Sequence, residues 1–199
     1  MPRKLIVGES VVGRRGYAGI VVWFKGKSIC IDPGSEFDEC SVVLCTHMHP
    51  RHCKEEYLTS FNSEKIPIVT SKDIKPGEEL NIGDIKVLAT HAYNKPELYN
   101  NAPLHYKNCC VGYVLILPRN IKIYYMGDTN FIEEVLTVGR DISVLIPPIG
   151  GGSVMTPEEA LEAVRSFKPA ITIPVHYDKM EYYYKFRDIA QPYTQVIRM

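Results

Sequence analysis

The stretch Thr46-His47-Met48-His49-Pro50-Arg51-His52 places three of the chain's six histidines within six positions. It follows an apolar, β-branched run at residues 41–45, which predicts a buried strand. In an extended chain, residues two apart face the same side, so the first two histidines can present their imidazoles to one point. The proline after them bends the chain, which lets the third histidine approach from another direction. Because neutral imidazole is the commonest protein ligand for zinc-like ions, we interpret this stretch as a metal site and not as a polar loop rich in histidine by chance.

Length and composition restrict the classes of protein to consider. The chain has 199 residues, of which 45% are hydrophobic, and its 23 basic and 23 acidic side chains give a formal net charge of zero. We expect one globular domain, 1–199. A balanced surface charge gives no indication of a nucleic-acid binding site, so no nucleic-acid partner is expected. No apolar run is long enough for a membrane span or a secretory signal, which predicts a cytoplasmic protein with no membrane partner. Whether the chain forms a homo-oligomer is left open.

The six cysteines include no C-x-x-C pair, which argues against a cysteine zinc ribbon. In a cytosol we expect reduced thiols, with the intracellular disulfides of hyperthermophiles as the exception. Cys109 and Cys110 are neighbours and would bridge to each other only with strain.

Apolar runs predict a mixed α/β succession of elements. Hairpins are expected over 19–31 and 111–126, and further strands over 41–45, 66–70, 85–90, 143–147 and 170–175. Helices are expected from Cys53 to Phe61, over 131–138, over 178–189, and after Thr156, which opens a helix with a capping box completed by Glu159. The segment 92–110 has no periodicity and is interpreted either as a pocket wall or as a plain surface loop.

Four of these strands lead into side chains that can bind a metal: His47, His91, Asp128 and His176. Taken alone, Asp128 is a turn aspartate beside a glycine, and His176 is a buried core histidine. Side chains at the carboxyl ends of neighbouring strands gather at one edge of a sheet. Together with the three-histidine stretch, the pattern therefore predicts one cluster.

The ordered motifs resemble those of the metallo-β-lactamase superfamily of metal-dependent hydrolases. A strand enters Thr-His-x-His-x-x-His, a later one enters Gly127-Asp128-Thr129, and the last enters Ile-Pro-Val-His-Tyr at 173–177. The resemblance runs from residue 31 to residue 177, and the segment 92–94, with His105 and 111–113, is similar to a compact branch of that superfamily. It implies an α/β fold, a four-layer αββα sandwich of two mixed β-sheets flanked by helices, with metal ions at one edge.

The resemblance also implies a ligand set. It assigns His47 and His49 to one metal position and His52 and His176 to a second, with Asp128 shared by both and acting in catalysis. The expected cofactor is zinc or another divalent transition metal, such as manganese, iron or nickel, with one or two ions per chain. The implied reaction is attack of metal-activated water on a small-molecule substrate, an anionic ester, lactone, amide or phosphodiester.

Two positions depart from the family pattern. Arg51 stands where the family usually has an aspartate ligand, and a guanidinium close to a dication is electrostatically unfavourable. Arg51 therefore either points away from the ion or takes its place. Our hypothesis is that it pairs with Asp128 or binds an anionic substrate group. Arg51 is then a candidate catalytic residue, and the site holds a single ion.

The second departure is Asn94, which occupies the place of the third histidine ligand of the first metal position. Because an amide is a weak ligand for such an ion, His91 or His105 could take over this role, and the sequence does not choose between them.

Three other functions remain in competition. The chain could be a degenerate member of the fold that binds metal or ligand without turnover. It could process RNA as some relatives of the fold do, although its neutral charge argues against this. Histidine and carboxylate also suit an iron-dependent redox role.

Overall fold

The computed structural model describes residues 4–34, 39–54, 56 and 66–199. They belong to two compact units, one formed by residues up to 73 together with Met199 and the other by residues 74–198. The predicted helix from Cys53 to Phe61 lies, apart from three of its positions, outside the described residues. The expectation of one domain over 1–199 stays a prediction.

The first unit contains a six-stranded mixed sheet whose strands follow one another in sequence order. The first four strands are antiparallel, and the last two are added in parallel. Its strands are β1 Lys4–Val7, β2 Ser10–Arg15, β3 Gly19–Phe24, β4 Lys27–Ile31, β5 Val42–Leu44 and β6 Ile68–Val69. The predicted hairpin is therefore β3–β4, and its two turn residues, Lys25 and Gly26, both have positive φ, as a tight hairpin turn requires.

Two disulfides lie in this unit, and they correct the expectation of reduced thiols. Cys30 is bonded to Cys40, and Cys45 to Cys53. All four cysteines belong to one buried apolar cluster with Val21 and Val43. Spacing alone could not reveal these pairs, because the fold decides which cysteines lie side by side. Cys109 and Cys110 are not in disulfides.

The second unit contains a seven-stranded mixed sheet, again in sequence order. Its first four strands are antiparallel, and its last four run parallel to one another. Its strands are β7 Glu79–Ile82, β8 Ile85–Ala92, β9 Cys110–Leu117, β10 Ile121–Tyr125, β11 Val144–Ile146, β12 Ile171–Thr172 and β13 Gln195–Val196.

Two helices, α1 Pro157–Phe167 and α2 Met180–Ala190, bury apolar faces in the core of the second unit. The predicted capping box opens α1: the Thr156 hydroxyl accepts the N–H of Glu159, and the Glu159 carboxylate accepts the N–H of Thr156. The ring of Phe167 meets the ring of Tyr124 edge to face, with centroids 5.5 Å apart.

Several elements differ from the sequence prediction. Strands β1, β2, β7 and β13 were not predicted, and the expected helix over 131–138 is a 3-10 segment, Glu133–Val138. Three of these strands, β1, β7 and β13, are short strands at sheet edges and contain too few residues for a periodic signal. In the described part of the chain, no helix has the length and apolar character that crossing a membrane requires.

Candidate metal-binding site

The three-histidine stretch follows β5 and turns back on itself. The N–H of His52 donates to the carbonyl oxygen of His49 at 2.9 Å, which closes a turn with Pro50 and Arg51 at its centre. Proline is favoured at the first central position of such a turn because its φ is already set. The carbonyl oxygen of His52 accepts the N–H of Gly34 at 2.8 Å, so the end of the stretch is tied to the chain that follows β4.

The turn brings three imidazoles together. Each of His47, His49 and His52 offers a nitrogen that lies within 4.8 Å of those of the other two. The ring centroids of His47 and His52 are 4.4 Å apart, and both residues are buried, whereas His49 is more accessible. Three nitrogens this close can bind one cation, because each is a donor of the kind that divalent transition metals prefer.

Asp32, directly after β4, orients this cluster and was not identified as a functional residue from the sequence. It is completely buried. One carboxylate oxygen accepts the N–H of Thr46 at 2.8 Å, and the other accepts the Thr46 hydroxyl at 2.6 Å and Nδ1–H of His52 at 2.9 Å. β4 and β5 are parallel, so their carboxyl ends lie at the same edge of the sheet. The signal in the sequence that could have identified Asp32 is an acidic residue at the end of a buried strand.

The same network reaches His47. Its Nδ1 lies 3.0 Å from the Thr46 hydroxyl oxygen, whose proton is donated to Asp32. Both Nδ1 atoms therefore carry the ring proton, and the lone pairs of His47 and His52 are on Nε2, where a metal can use them. Burial raises the pKa of Asp32, but the nearby imidazoles and the Thr46 hydrogen bond outweigh burial and hold that pKa below its usual value.

A pocket of about 350 Å³ opens beside His49. Its lining includes Met48, Pro50, Lys54 and Lys72. The imidazole of His49, which could bind a metal, therefore shares this pocket with an apolar surface and with the ammonium groups of Lys54 and Lys72.

Arg51 lies at the corner of the histidine turn and is exposed. Its guanidinium carbon is 4.4 Å from the centroid of the Tyr17 ring, a cation–π contact. The aromatic face gives this side chain a defined position at the rim of the loop.

A second cluster lies in the second unit, after β10. The carboxylate of Asp128 is 3.0 Å from Nε2 of His176, which follows β12, and 3.6 Å from Nε2 of His105. Asp128 and His105 are buried, and the His176 side chain is 15% exposed. β10, β11 and β12 are parallel, which is why Asp128 and His176 emerge at the same edge.

Asn94 holds His105 in place. Its side-chain oxygen accepts the backbone N–H of His105 at 3.0 Å, and its side-chain nitrogen donates to the carbonyl oxygen of Ser153 at 2.8 Å. Nδ1 of His105 is 3.1 Å from that same carbonyl and 3.2 Å from the Asn94 oxygen. This places the proton on Nδ1 and directs the Nε2 lone pair toward Asp128. His105 can therefore offer Nε2 to a metal ion, and Asn94 supports its ring.

His176 has a left-handed backbone with φ of 55°. Its carbonyl oxygen packs so closely on Gly150 that a Cβ there would overlap it. Because Gly150 has no side chain, the backbone of His176 can pack directly against it, after the end of β11.

His91 was expected to follow the end of a strand, and the structure places it elsewhere. It is inside β8, paired with Val111 of β9, and is half-buried. Within the described ranges it belongs to no cluster of three or more metal-competent side chains.

The segment between β8 and β9, which carries His105, is held at its start. The Thr129 hydroxyl, next to Asp128, accepts the N–H of Tyr93 at 3.1 Å. The Tyr93 hydroxyl donates to the Glu134 carboxylate at 2.8 Å, and Lys107 donates to the same carboxylate at 2.7 Å. The hydrogen bond from Lys107 lowers the pKa of Glu134 from its ordinary 4.5 to about 2.

Comparisons with known proteins identify relatives along most of the chain. A family model described as a beta-lactamase superfamily domain matches residues 16–176. A UPF0173 metal-dependent hydrolase of Thermoplasma acidophilum is 33% identical over 158 residues, which cover 70% of this chain and 66% of that protein, just under two thirds. A UPF0173 protein of Pyrococcus abyssi is 26% identical over 181 residues, which cover 81% of this chain and 80% of the relative.

Solved structures share the fold. The crystal structure of a Parabacteroides distasonis protein superposes with a TM-score of 0.78 at 21% identity, and the match covers 100% of this chain and 97% of that one. Together with the two mixed sheets described above, this confirms the predicted fold class, an αββα sandwich.

Proposed function

Because the chain belongs to the metallo-β-lactamase superfamily, we propose that it is a hydrolase that uses a bound divalent metal to cleave small, anionic substrates. The observation that supports this most directly is the histidine loop. Three imidazole nitrogens lie within 4.8 Å of one another, and two of the three rings are held through Nδ1 by one buried carboxylate network. That is the arrangement of a metal ligand supported by an outer carboxylate.

The donor set fits a divalent transition metal. In the first unit, His47, His49 and His52 are the residues that would bind an ion. In the second unit, the corresponding candidates are Asp128, His176 and His105. The assignment of Asp128 to two metal positions is part of this proposal. The bound ion would lower the pKa of a water molecule and polarise the oxygen atom of the bond to be cleaved. Zinc is the expected ion, because imidazole dominates the set.

The chain's own residues have two tasks in this proposal. Asp32 and Thr46 keep the protons of His47 and His52 on Nδ1, and Asn94 does the same for His105. Asp128 is the candidate catalytic base, since a buried carboxylate within 3.0 Å of His176 can accept a proton from water and share it with an imidazole.

The pocket beside His49 supports an anionic substrate. Lys54 and Lys72 line it, together with the apolar Met48 and Pro50. Lys72 is exposed and can approach a carboxylate or phosphate group, while the apolar side receives a short carbon chain. Arg51 would add a third cation at the rim of the loop, although its guanidinium is engaged by Tyr17.

The test is activity with defined metals. The purified protein is stripped with a chelator, reloaded separately with zinc, manganese, iron or nickel, and assayed on a panel of esters, lactones, amides and phosphodiesters. We expect turnover of at least one anionic substrate, loss of that turnover in His49→Ala, and retention in the matched control His91→Ala.

Equal rates in the native protein and His49→Ala on every substrate would overturn the proposal. If the native protein nevertheless holds metal, that result favours the alternative of a binding protein without turnover. Binding of RNA at low salt would favour the processing alternative.

A further inference from the structure

The histidine loop is enclosed by a disulfide. Cys45 lies two residues before His47, and Cys53 directly follows His52, so the Cys45–Cys53 bond closes a short loop that contains His47, His49 and His52. The Cα atoms of the two cysteines are 5.8 Å apart.

Both ends of this loop are anchored in the core of the first unit. The N–H of Cys45 donates to the carbonyl oxygen of Val69 in β6 at 2.8 Å. Cys53 is 2% exposed and packs in the same apolar cluster as Val43. Between these ends the backbone forms a turn from His49 to His52 and no strand of the sheet. The disulfide is thus the covalent link that sets the distance between the two arms of the turn.

We propose that the Cys45–Cys53 disulfide is a positioning element of the metal site, which holds the loop ends at the separation at which the three imidazoles converge. This rests on the metal site proposed above. A loop held in its binding conformation does not lose further conformational freedom when the ion binds, whereas an open loop must be ordered by the ion at the expense of affinity.

The chain provides a matched control. The Cys30–Cys40 bond lies in the same apolar cluster, has the same Cα–Cα distance of 5.8 Å, and closes a loop of similar length, with a sequence separation of 10 against 8. It encloses no histidine. It does enclose Asp32, but the backbone of Asp32 is held independently, since its N–H donates to the carbonyl oxygen of Leu44 at 3.0 Å.

The experiment compares two double variants, Cys45→Ala with Cys53→Ala and Cys30→Ala with Cys40→Ala, in the full chain. Alanine is used because a free thiol could itself bind the ion. Zinc affinity is measured by competition with a chromogenic chelator, and circular dichroism and the metal-free Tm are recorded for each variant. Because the loops are similar in length, we expect similar decreases in metal-free Tm.

The two double variants should differ in their affinity for zinc. We expect the Cys45/Cys53 variant to bind zinc about 10- to 100-fold more weakly than the native chain, as for other losses of outer support at metal sites. The Cys30/Cys40 variant should stay within about threefold of the native value, because its loop contains none of the three histidines and the backbone of Asp32 is held by its hydrogen bond to Leu44.

Equal zinc affinities of the two folded variants would overturn the inference while leaving the proposed function intact. Absence of zinc binding by the native chain would instead contradict the proposed function. Should the Cys45/Cys53 variant fail to fold without metal, recovery of its circular dichroism by zinc at the concentration that saturates the native chain would count against the inference. Recovery only at much higher zinc would support it.

Discussion

Asp32 acts on two histidines at once, directly on His52 and through the Thr46 hydroxyl on His47. It is buried, and its backbone lies in the left-handed region, with φ of 46°, which aspartate tolerates better than most residues. Gly19 lacks a side chain at the point where the carbonyl oxygen of Asp32 packs against it. The position of this carboxylate is therefore determined by tertiary contacts around it.

Asp32→Asn should weaken zinc binding by about 10- to 100-fold, because the amide removes the negative charge that keeps the ring protons on Nδ1. It should also destabilise the fold by about 1 to 3 kcal/mol, since a buried donor loses its acceptor. Chelator competition and urea unfolding measure the two effects. Asp73→Asn is the control, because Asp73 accepts from Thr70 at an exposed position. Unchanged zinc affinity in Asp32→Asn would show that the network does not support the ligands.

Arg51 stands at the position where the family resemblance leads us to expect an aspartate ligand. If the cation disfavours a second ion, Arg51→Asp should raise the metal content from one to two ions per chain, measured by elemental analysis of the purified protein. Arg51→Gln removes the charge without adding a ligand, so it separates the loss of repulsion from the gain of a carboxylate. Two tightly held ions in the native protein would contradict the idea of a single-ion site.

At the scale of elements, Asp32 and three of the candidate ligands follow strands that have a parallel neighbour. β4 and β5 lead to Asp32 and His47, and β10 and β12 lead to Asp128 and His176. The strands that pair only in antiparallel fashion, β1 to β3 and β7 to β9, lead to none of these four residues, but the segment between β8 and β9 carries His105. His91 illustrates the difference: it was predicted to follow a strand, but β8 continues through it in antiparallel pairing with β9.

The segment between β8 and β9 should respond to acid. Because the pKa of Glu134 is lowered in the folded chain to about 2, its contacts with Lys107 and Tyr93 stabilise the fold at pH values above its unfolded pKa. That stabilisation is lost as the pH falls from about 4.5 toward 2. Glu134→Gln should therefore have a lower Tm than the native chain at neutral pH, and the difference should shrink in this window.

The comparison needs a control for general acid effects. Glu79→Gln removes the exposed pair with Lys86 in the same unit and should leave the steepness of the Tm decrease between about pH 4.5 and 2 unchanged. A Glu134→Gln curve that stays parallel to the native one down to pH 2 would show that this carboxylate does not titrate as proposed.

At the scale of the whole molecule, metal binding should be coupled to folding. An ion that binds only the folded chain stabilises it by about 2.7 kcal/mol at a free concentration 100 times its Kd. For a chain of this length, that corresponds to an increase in Tm of roughly 5 to 10 °C. Thermal unfolding with zinc and with excess chelator measures the difference. His47→Ala should show almost no zinc-dependent shift, and a native Tm that is independent of metal would argue against a resident ion.

The sequence by itself determined the family, the fold class, both central hairpins and the helix that begins at Thr156. These features depend on local periodicity, turn chemistry and ordered motifs, all of which involve residues close together in the sequence. It also singled out the histidine stretch, because three imidazoles within six positions are a recognisable pattern of metal ligands.

Only the tertiary structure decided which residues support the ligands. The pairings Cys30–Cys40 and Cys45–Cys53, the contacts of Asp32 and the contact between Asn94 and His105 each join residues that are at least 8 positions apart in the sequence. Hydrogen bonds and disulfides are short-range, and the positions of their partners are set by sheet register and loop packing. The order of residues along the chain does not specify those positions, so the supporting contacts can be identified only from the folded structure.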